Sequence, residues 1–311
     1  MRREGEMRSL ALYFPYAIFI LSCVLGLCRP FIGYAEDHCE MRVEREHRER
    51  AIAVYGAAIE RHGLSTDSVN DLVVAFREAP VEDYLLRESS LTCMTYQFES
   101  EAVPLLYEAL GDPSLSVRMR AASLLGELGD NSGRTRMVED YEYYLQAAGT
   151  IQRGESKKFP VYLDGLPQGE LRPVNREALL SRVLRIGEIL AGLGDLRVRD
   201  VALESVTSES PEEGGSLNVR KDGIKAFNSV AANRSNEGNG YFDFAKAYAQ
   251  MADAETESIM NWVDLIGGIR DNLPYDEKVS LLGQIMANKK YSAEFHDFTA
   301  YILRRVKEQK E

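Results

Sequence analysis

Between residues 101 and 130 the chain sets apolar stripes between sharp breaks: EAVPLLYEALGDPSLSVRMRAASLLGELGD. Val103, Leu106, Tyr107 and Leu110, with Leu105 and Ala109 beside them, recur at i, i+3, i+4 and i+7 and predict a first helix. Pro104 falls in its first turn, where a missing N–H is harmless. Gly111-Asp112-Pro113-Ser114 ends that helix. A second helix carries Val117, Ala121, Leu124, Leu125 and Leu128 on one side, and Gly129-Asp130 closes it. Ala121 and Ala122 are small enough for a neighbouring helix to approach closely. The two apolar faces of such a unit cannot both be buried within it, so the stretch predicts a stacked array.

Further copies lie in phase. Shifting back by 33 lays Leu72, Val73 and Phe76 over Leu105, Leu106 and Ala109, and Glu88-Ser89-Ser90-Leu91 over Ala121-Ala122-Ser123-Leu124. Downstream, Leu193-Gly194-Asp195 leads into a first helix over Arg197–Leu203, and Asn218–Phe227 reads as a second. Val219-Arg220 stands 102 residues after Val117-Arg118, three periods of 34. Beyond Tyr241 the pattern predicts helices over 241–253, 255–268, 276–287 and 292–309 without a clear repeat motif.

The unit resembles the HEAT-repeat superfamily, and within it the short HEAT-like repeats of the phycobilisome-lyase type. The resemblance rests on Asp112, on Val117-Arg118, and on Ala121-Ala122-Ser123-Leu124-Leu125-Gly126 running into Leu128-Gly129-Asp130. It is specific over 100–130, fair over 185–230 and weak elsewhere. It implies that Asp112 and Arg118 take part in a structural ladder between repeats, with Val117, Asp195, Val219 and Arg220 at the corresponding places. These are structural roles, without chemistry.

The N-terminus carries a different pattern. Arg2, Arg3 and Arg8 precede an apolar, uncharged run from Leu10 to Cys28, and Gly33-Tyr34-Ala35 precedes Glu36-Asp37. That order is a signal peptide over 1–35, with Met7 as an alternative start. The run is also long enough for an uncleaved anchor. Ile20-Leu21-Ser22-Cys23 loosely resembles a lipoprotein box, but the apolar run continues past it. Either route takes the chain out of the cytoplasm, to a periplasm or to the exterior.

The net charge of −12 repels phosphate backbones, so nucleic acid is not expected as a partner. A membrane enters only through an uncleaved N-terminal helix. After cleavage two cysteines remain, Cys39 and Cys93, and either a disulfide or a buried thiol at Cys93 fits. Residues 134–149 read as a helix with Met137, Tyr141, Tyr144, Leu145 and Ala148 in phase, leaving Tyr143 outside the stripe. Pro160, Pro167 and Pro173 exclude a helix over 152–174. There Phe159, Val161 and Leu163 alternate into Asp164-Gly165, predicting a short hairpin. Such an excursion from a helical array either carries binding, with Phe159, Tyr162, Asp164 and Arg172 as candidates, or is passive.

Catalytic motifs are missing from the sequence. It holds no G-x-S-x-G, no phosphate-cradling GK[ST] loop and no G-x-G-x-x-G. His38, His47, His62 and His296 are not spaced as metal pairs, and no His-Glu dipeptide occurs. The iron chemistry of deoxyhypusine hydroxylase, an enzymatic branch of the superfamily, therefore does not carry over. His38 and Cys39, just past the cleavage site, read as part of a flexible terminus. Phycobilin lyases work in the cytosol, which the export signal argues against. The expectation is an all-α chain. Residues 36–311 would form an α-solenoid of stacked HEAT-like helix pairs, with one β-hairpin excursion inserted at 152–174. It would act as a non-enzymatic scaffold, without cofactor or metal, that binds a protein or peptide on its concave face. An enzyme or enzyme accessory with a site beside the excursion, and a membrane-tethered assembly factor, are the alternatives.

Overall fold

The computed structural model describes residues 35–152, 155–160, 171–207, 217–232, 245–246, 259–289 and 291–308. Its elements are overwhelmingly helical. In order they are α1 (Ala35–Glu60), α2 (Val69–Arg77), α3 (Tyr84–Phe98), a 3₁₀ turn (Glu99–Ala102), α4 (Val103–Ala109), α5 (Leu115–Glu127) and α6 (Gly133–Gly149). Two strands follow, β1 (Ser156–Pro160) and β2 (Leu171–Asn175). The remainder is α7 (Arg176–Gly192), α8 (Arg199–Thr207), α9 (Leu217–Ala232), α10 (Ile259–Asn272), α11 (Tyr275–Ala287) and α12 (Ala293–Glu308). The signal-peptide pattern at 1–34 and most of the helix expected at 241–253 lie outside the described residues.

The chain divides into two compact units, Met1–Val54 and Tyr55–Glu311, with the boundary inside α1. The described part of the first unit is helical from Ala35, where the sequence reads as a loose terminus. Its composition accounts for the difference: dense Glu and Arg place opposite charges one turn apart, as in the 3.6 Å Glu46–Arg50 pair.

In the second unit, alternate helices touch in order. α3 packs on α5, α5 on α7, α7 on α9, and α9 on α10. Beside that row, α2 lies on α3, α4 on α5, α6 on both α5 and α7, and α8 on α9. The apolar stripes meet there: Ile59, Leu72, Leu91, Leu106, Leu124 and Leu125 are fully buried in one cluster. Small residues set the spacing. A Cβ on Gly133 at the start of α6 would stand 2.9 Å from the Ala122 backbone of α5, and one on Gly187 of α7 would collide with Val198. Helix ends follow the sequence punctuation. Gly129 and Gly194 adopt φ of +80° and +81°, and Asp130 and Asp195 donate their N–H groups back to Leu125 and Leu190 at 2.8 Å.

Two further elements differ from expectation. β1 pairs antiparallel with β2, setting Phe159 opposite Arg172 and Lys158 opposite Pro173, so the second strand starts well past Asp164-Gly165. Tyr162 and Asp164 lie outside the described residues. Pro173 is tolerated because a two-stranded sheet leaves each strand one unpaired edge. Val174 is buried, β2 contacts α7, and Asn175 caps α7 by accepting from Ala178 N at 2.9 Å. Likewise α10 continues through Gly267-Gly268 to Asn272, beyond the expected end at 268. Ile269 is fully buried, and that burial outweighs the weak helix propensity of the glycine pair.

Candidate functional site

The turn between α4 and α5 is built around Asp112. Its Oδ1 accepts from Ser114 N at 2.7 Å, and the same aspartate turn recurs at Asp130 with Ser132 N (2.8 Å) and at Asp195 with Arg197 N (3.2 Å). The carboxylate of Asp112 also forms an ion pair with Arg87 of α3, both side chains being about one-twentieth exposed. Arg118, on α5, donates Nε and Nη2 to both oxygens of Asp140 on α6, at 2.8 and 2.9 Å. Its Nη1 donates to the carbonyls of Asp112 and Pro113, at 2.8 and 3.0 Å. Asp195, after α7, accepts from Arg134 of α6 and from Arg197, each at 3.1 Å. Arg197 reaches Glu142 of α6 at 2.9 Å. A seam of charge-assisted bonds thus links α3 to the α4–α5 turn, α5 to α6, and α6 to the turn after α7.

Among the residues expected from sequence, Asp112 and Arg118 do sit side by side, yet they are not each other's carboxylate–guanidinium partners. Arg118 touches only the backbone carbonyl of Asp112. Val117 and Val219 are core side chains, and Arg220 on α9 is buried with an Nε that has no hydrogen-bond partner among the described residues. Arg87 and Asp140, the actual partners, escaped the sequence reading. Arg87 precedes Arg118 by 31 residues, so the 33-residue alignment set Leu85 in its place. That same 31-residue offset recurs where Arg77 meets Glu108 and Tyr96 meets Glu127.

Beneath the Asp112 turn lies a pocket of about 410 Å³, lined on one side by Gly111, Asp112, Pro113 and Arg118. From α6 come Arg136, Glu139, Asp140, Tyr143 and Tyr144. Arg136 contacts Glu139 at 3.2 Å and Asp140 at 3.5 Å. Tyr144 is 1% exposed while Tyr143, out of phase with the stripe, is 39% exposed. Their rings meet edge to face at 5.2 Å.

A second polar cluster spans α7, α9 and α10. Ser181 donates to Asp222, and Asn228 donates to the Asp264 carbonyl at 2.9 Å. Burial pushes the carboxyls of Glu188, Asp222 and Asp264 above the usual carboxylate range. Lys225 opposes the shift at all three, Lys221 at the two aspartates, and Arg185 at Glu188 and Asp222. Cys93 is a free, fully buried thiol whose pKa burial pushes up to about 11, and the side chain of Cys39 lies outside what the structure describes. Among the described residues no group of His, Cys, Asp and Glu is arranged to hold a metal, and no helix is long and apolar enough to cross a membrane.

Comparison with known proteins finds no matching family model, no similar curated protein and no similar solved structure.

Proposed function

We propose that the chain is an exported scaffold whose second unit is a HEAT-like solenoid holding a protein or peptide partner, with no catalytic step of its own. One observation carries the reading: α3, α5, α7 and α9 touch in sequence, each with a flanking helix at its side. In an array of this kind every pair buries its faces against its neighbours and leaves one long row of helices for a ligand. Two buried ion pairs favour the same reading, because each runs from one helix pair to the next. Export rests on the pattern of Arg2, Arg3, Arg8 and the apolar run that follows.

The test is cross-linked affinity capture of the tagged chain from the envelope or secreted fraction of its own cells, with N-terminal sequencing of the recovered bait. One protein near stoichiometry supports the scaffold, and a bait beginning at or near Glu36 supports cleavage over anchoring. Repeated captures without a partner would overturn the proposal.

A second reading, an enzyme or enzyme accessory, is favoured by the cluster on α7, α9 and α10. Carboxyls held towards their protonated form suit a general acid. An activity recovered in a hydrolase screen and lost in Glu188→Gln would establish that reading instead.

A further inference from the structure

The pocket under the α4–α5 turn contains two hydrogen-bond donors that find no acceptor among the described residues. They are the buried Tyr144 hydroxyl and the buried Nε of Arg136, on the same helix and lining the same pocket. A donor shut away from water without an acceptor costs about 1–3 kcal/mol. Two of them in one pocket call for an acceptor from outside. Tyr144 is available as a donor at any ordinary pH, because burial holds its phenol at about 12.

We infer that this pocket takes a carboxylate of the peptide partner, one oxygen accepting from the Tyr144 hydroxyl and the other from the Arg136 guanidinium. The inference rests on the scaffold reading and narrows it to a partner chemistry. Charge decides for a monoanion. Arg87 with Asp112, and Arg118 with Asp140, cancel in pairs. Arg136 is left with a marginal 3.5 Å contact to Asp140 and a 3.2 Å pair to Glu139, whose side chain is 61% exposed. An exposed pair of that sort is worth about 0–1 kcal/mol, so Glu139 yields to an incoming carboxylate that places one oxygen on the Arg136 guanidinium. A dianion such as a phosphate monoester would face Asp112, Glu139 and Asp140 together and is disfavoured.

Access comes from Arg136. Its side chain is 41% exposed, so its rotation is the route by which a ligand would reach the buried Tyr144 hydroxyl. The exposed Tyr143 ring and Pro113 then form the wall for the adjoining residue of the ligand. The volume of about 410 Å³ is near the lower end of ligand pockets, enough for one or two residues.

The experiment is a ligand-observed NMR titration of the full chain with three N-acetylated tripeptides, Ala-Tyr-Ala as free acid, Ala-Tyr-Ala as amide, and Ala-Tyr-Glu as amide. At least one carboxylate-bearing peptide is expected to bind with Kd of about 1 mM, with the uncharged amide about tenfold weaker. Which acid binds tells a chain terminus from an acidic side chain. Tyr144→Phe should weaken binding about fivefold to tenfold and Glu139→Gln should tighten it a few-fold, with thermal melts showing both variants folded. Equal binding of acid and amide, no saturation by any peptide, or unchanged affinity in both variants would overturn the assignment. The scaffold reading fails separately: a partner captured from cells that survives Tyr144→Phe and Arg136→Met removes this pocket and leaves the scaffold standing.

Discussion

Arg118→Met is the sharpest perturbation of the fold. The guanidinium is 4% exposed and makes four hydrogen bonds, two to Asp140 and two to the carbonyls of Asp112 and Pro113. Methionine fills a similar volume but leaves Asp140, itself 8% exposed, with only the Arg136 contact at 3.5 Å among the described residues. Removing one partner of a buried pair costs about 3–5 kcal/mol, and the stranded carbonyls place this case near about 4. Asp140→Leu leaves Arg118 its two carbonyl acceptors and should cost somewhat less, about 3 kcal/mol. The double variant strands no charge and should lose only about 3–4 kcal/mol, so the coupling between the two sites comes to about 3 kcal/mol. Urea unfolding followed by far-UV circular dichroism measures all three variants, with an unchanged denaturant slope as the control on the unfolded state. A loss below about 1 kcal/mol for Arg118→Met, or additive losses in the double variant, would refute the view that the seam is buried and mutually dependent.

Asp264→Asn should stabilise the protein at neutral pH. Its carboxyl is held above the usual range, so the folded chain binds that proton more tightly than the unfolded one. The stability this supplies is full below the ordinary carboxyl value of about 4 and is lost as pH rises through the folded value, so the gain in Tm at pH 7 should vanish near pH 3. Gly187→Ala places a methyl against Val198 and should cost about 1–3 kcal/mol in urea unfolding, a loss that Val198→Ala in the same chain partly restores. Gly129→Ala forces a side chain into φ +80° and should cost about 1 kcal/mol by the same assay. Cys93 should resist a thiol reagent in the native protein and react once urea unfolds it, because the thiol is buried and held at about 11. Rapid native labelling would contradict that burial.

What could be read from the sequence was whatever is locally punctuated. α4 and α5 announce themselves through a 3.6-residue stripe closed by Gly111 and Gly129, and the prolines of 152–174 excluded a helix. The limits of the hairpin were not legible, because its second strand begins beyond the only turn pair in view and contains Pro173. Nor was the length of α10, since burial of Ile269 is a tertiary fact that no window around Gly267-Gly268 contains. The seam was hidden for a stronger reason. An arginine or aspartate within a helix reads as a solvated position, and nothing adjacent to Arg87 or Asp140 marks them as buried. Their partners come from another helix or turn, as do the groups gathered at Glu188, Asp222 and Asp264. Apolar stripes say only that α3, α5 and α6 must pack; a leucine at position 87 would accept many neighbours. Arg87 and Arg118 are satisfied only where a carboxylate and open carbonyls meet them, so the charged residues, the least informative in the pattern, restrict how each helix pair is seated on the next. The Arg118→Met and Asp140→Leu cycle measures that restriction directly: its coupling energy is the part of the stacking that hydrophobic periodicity does not encode.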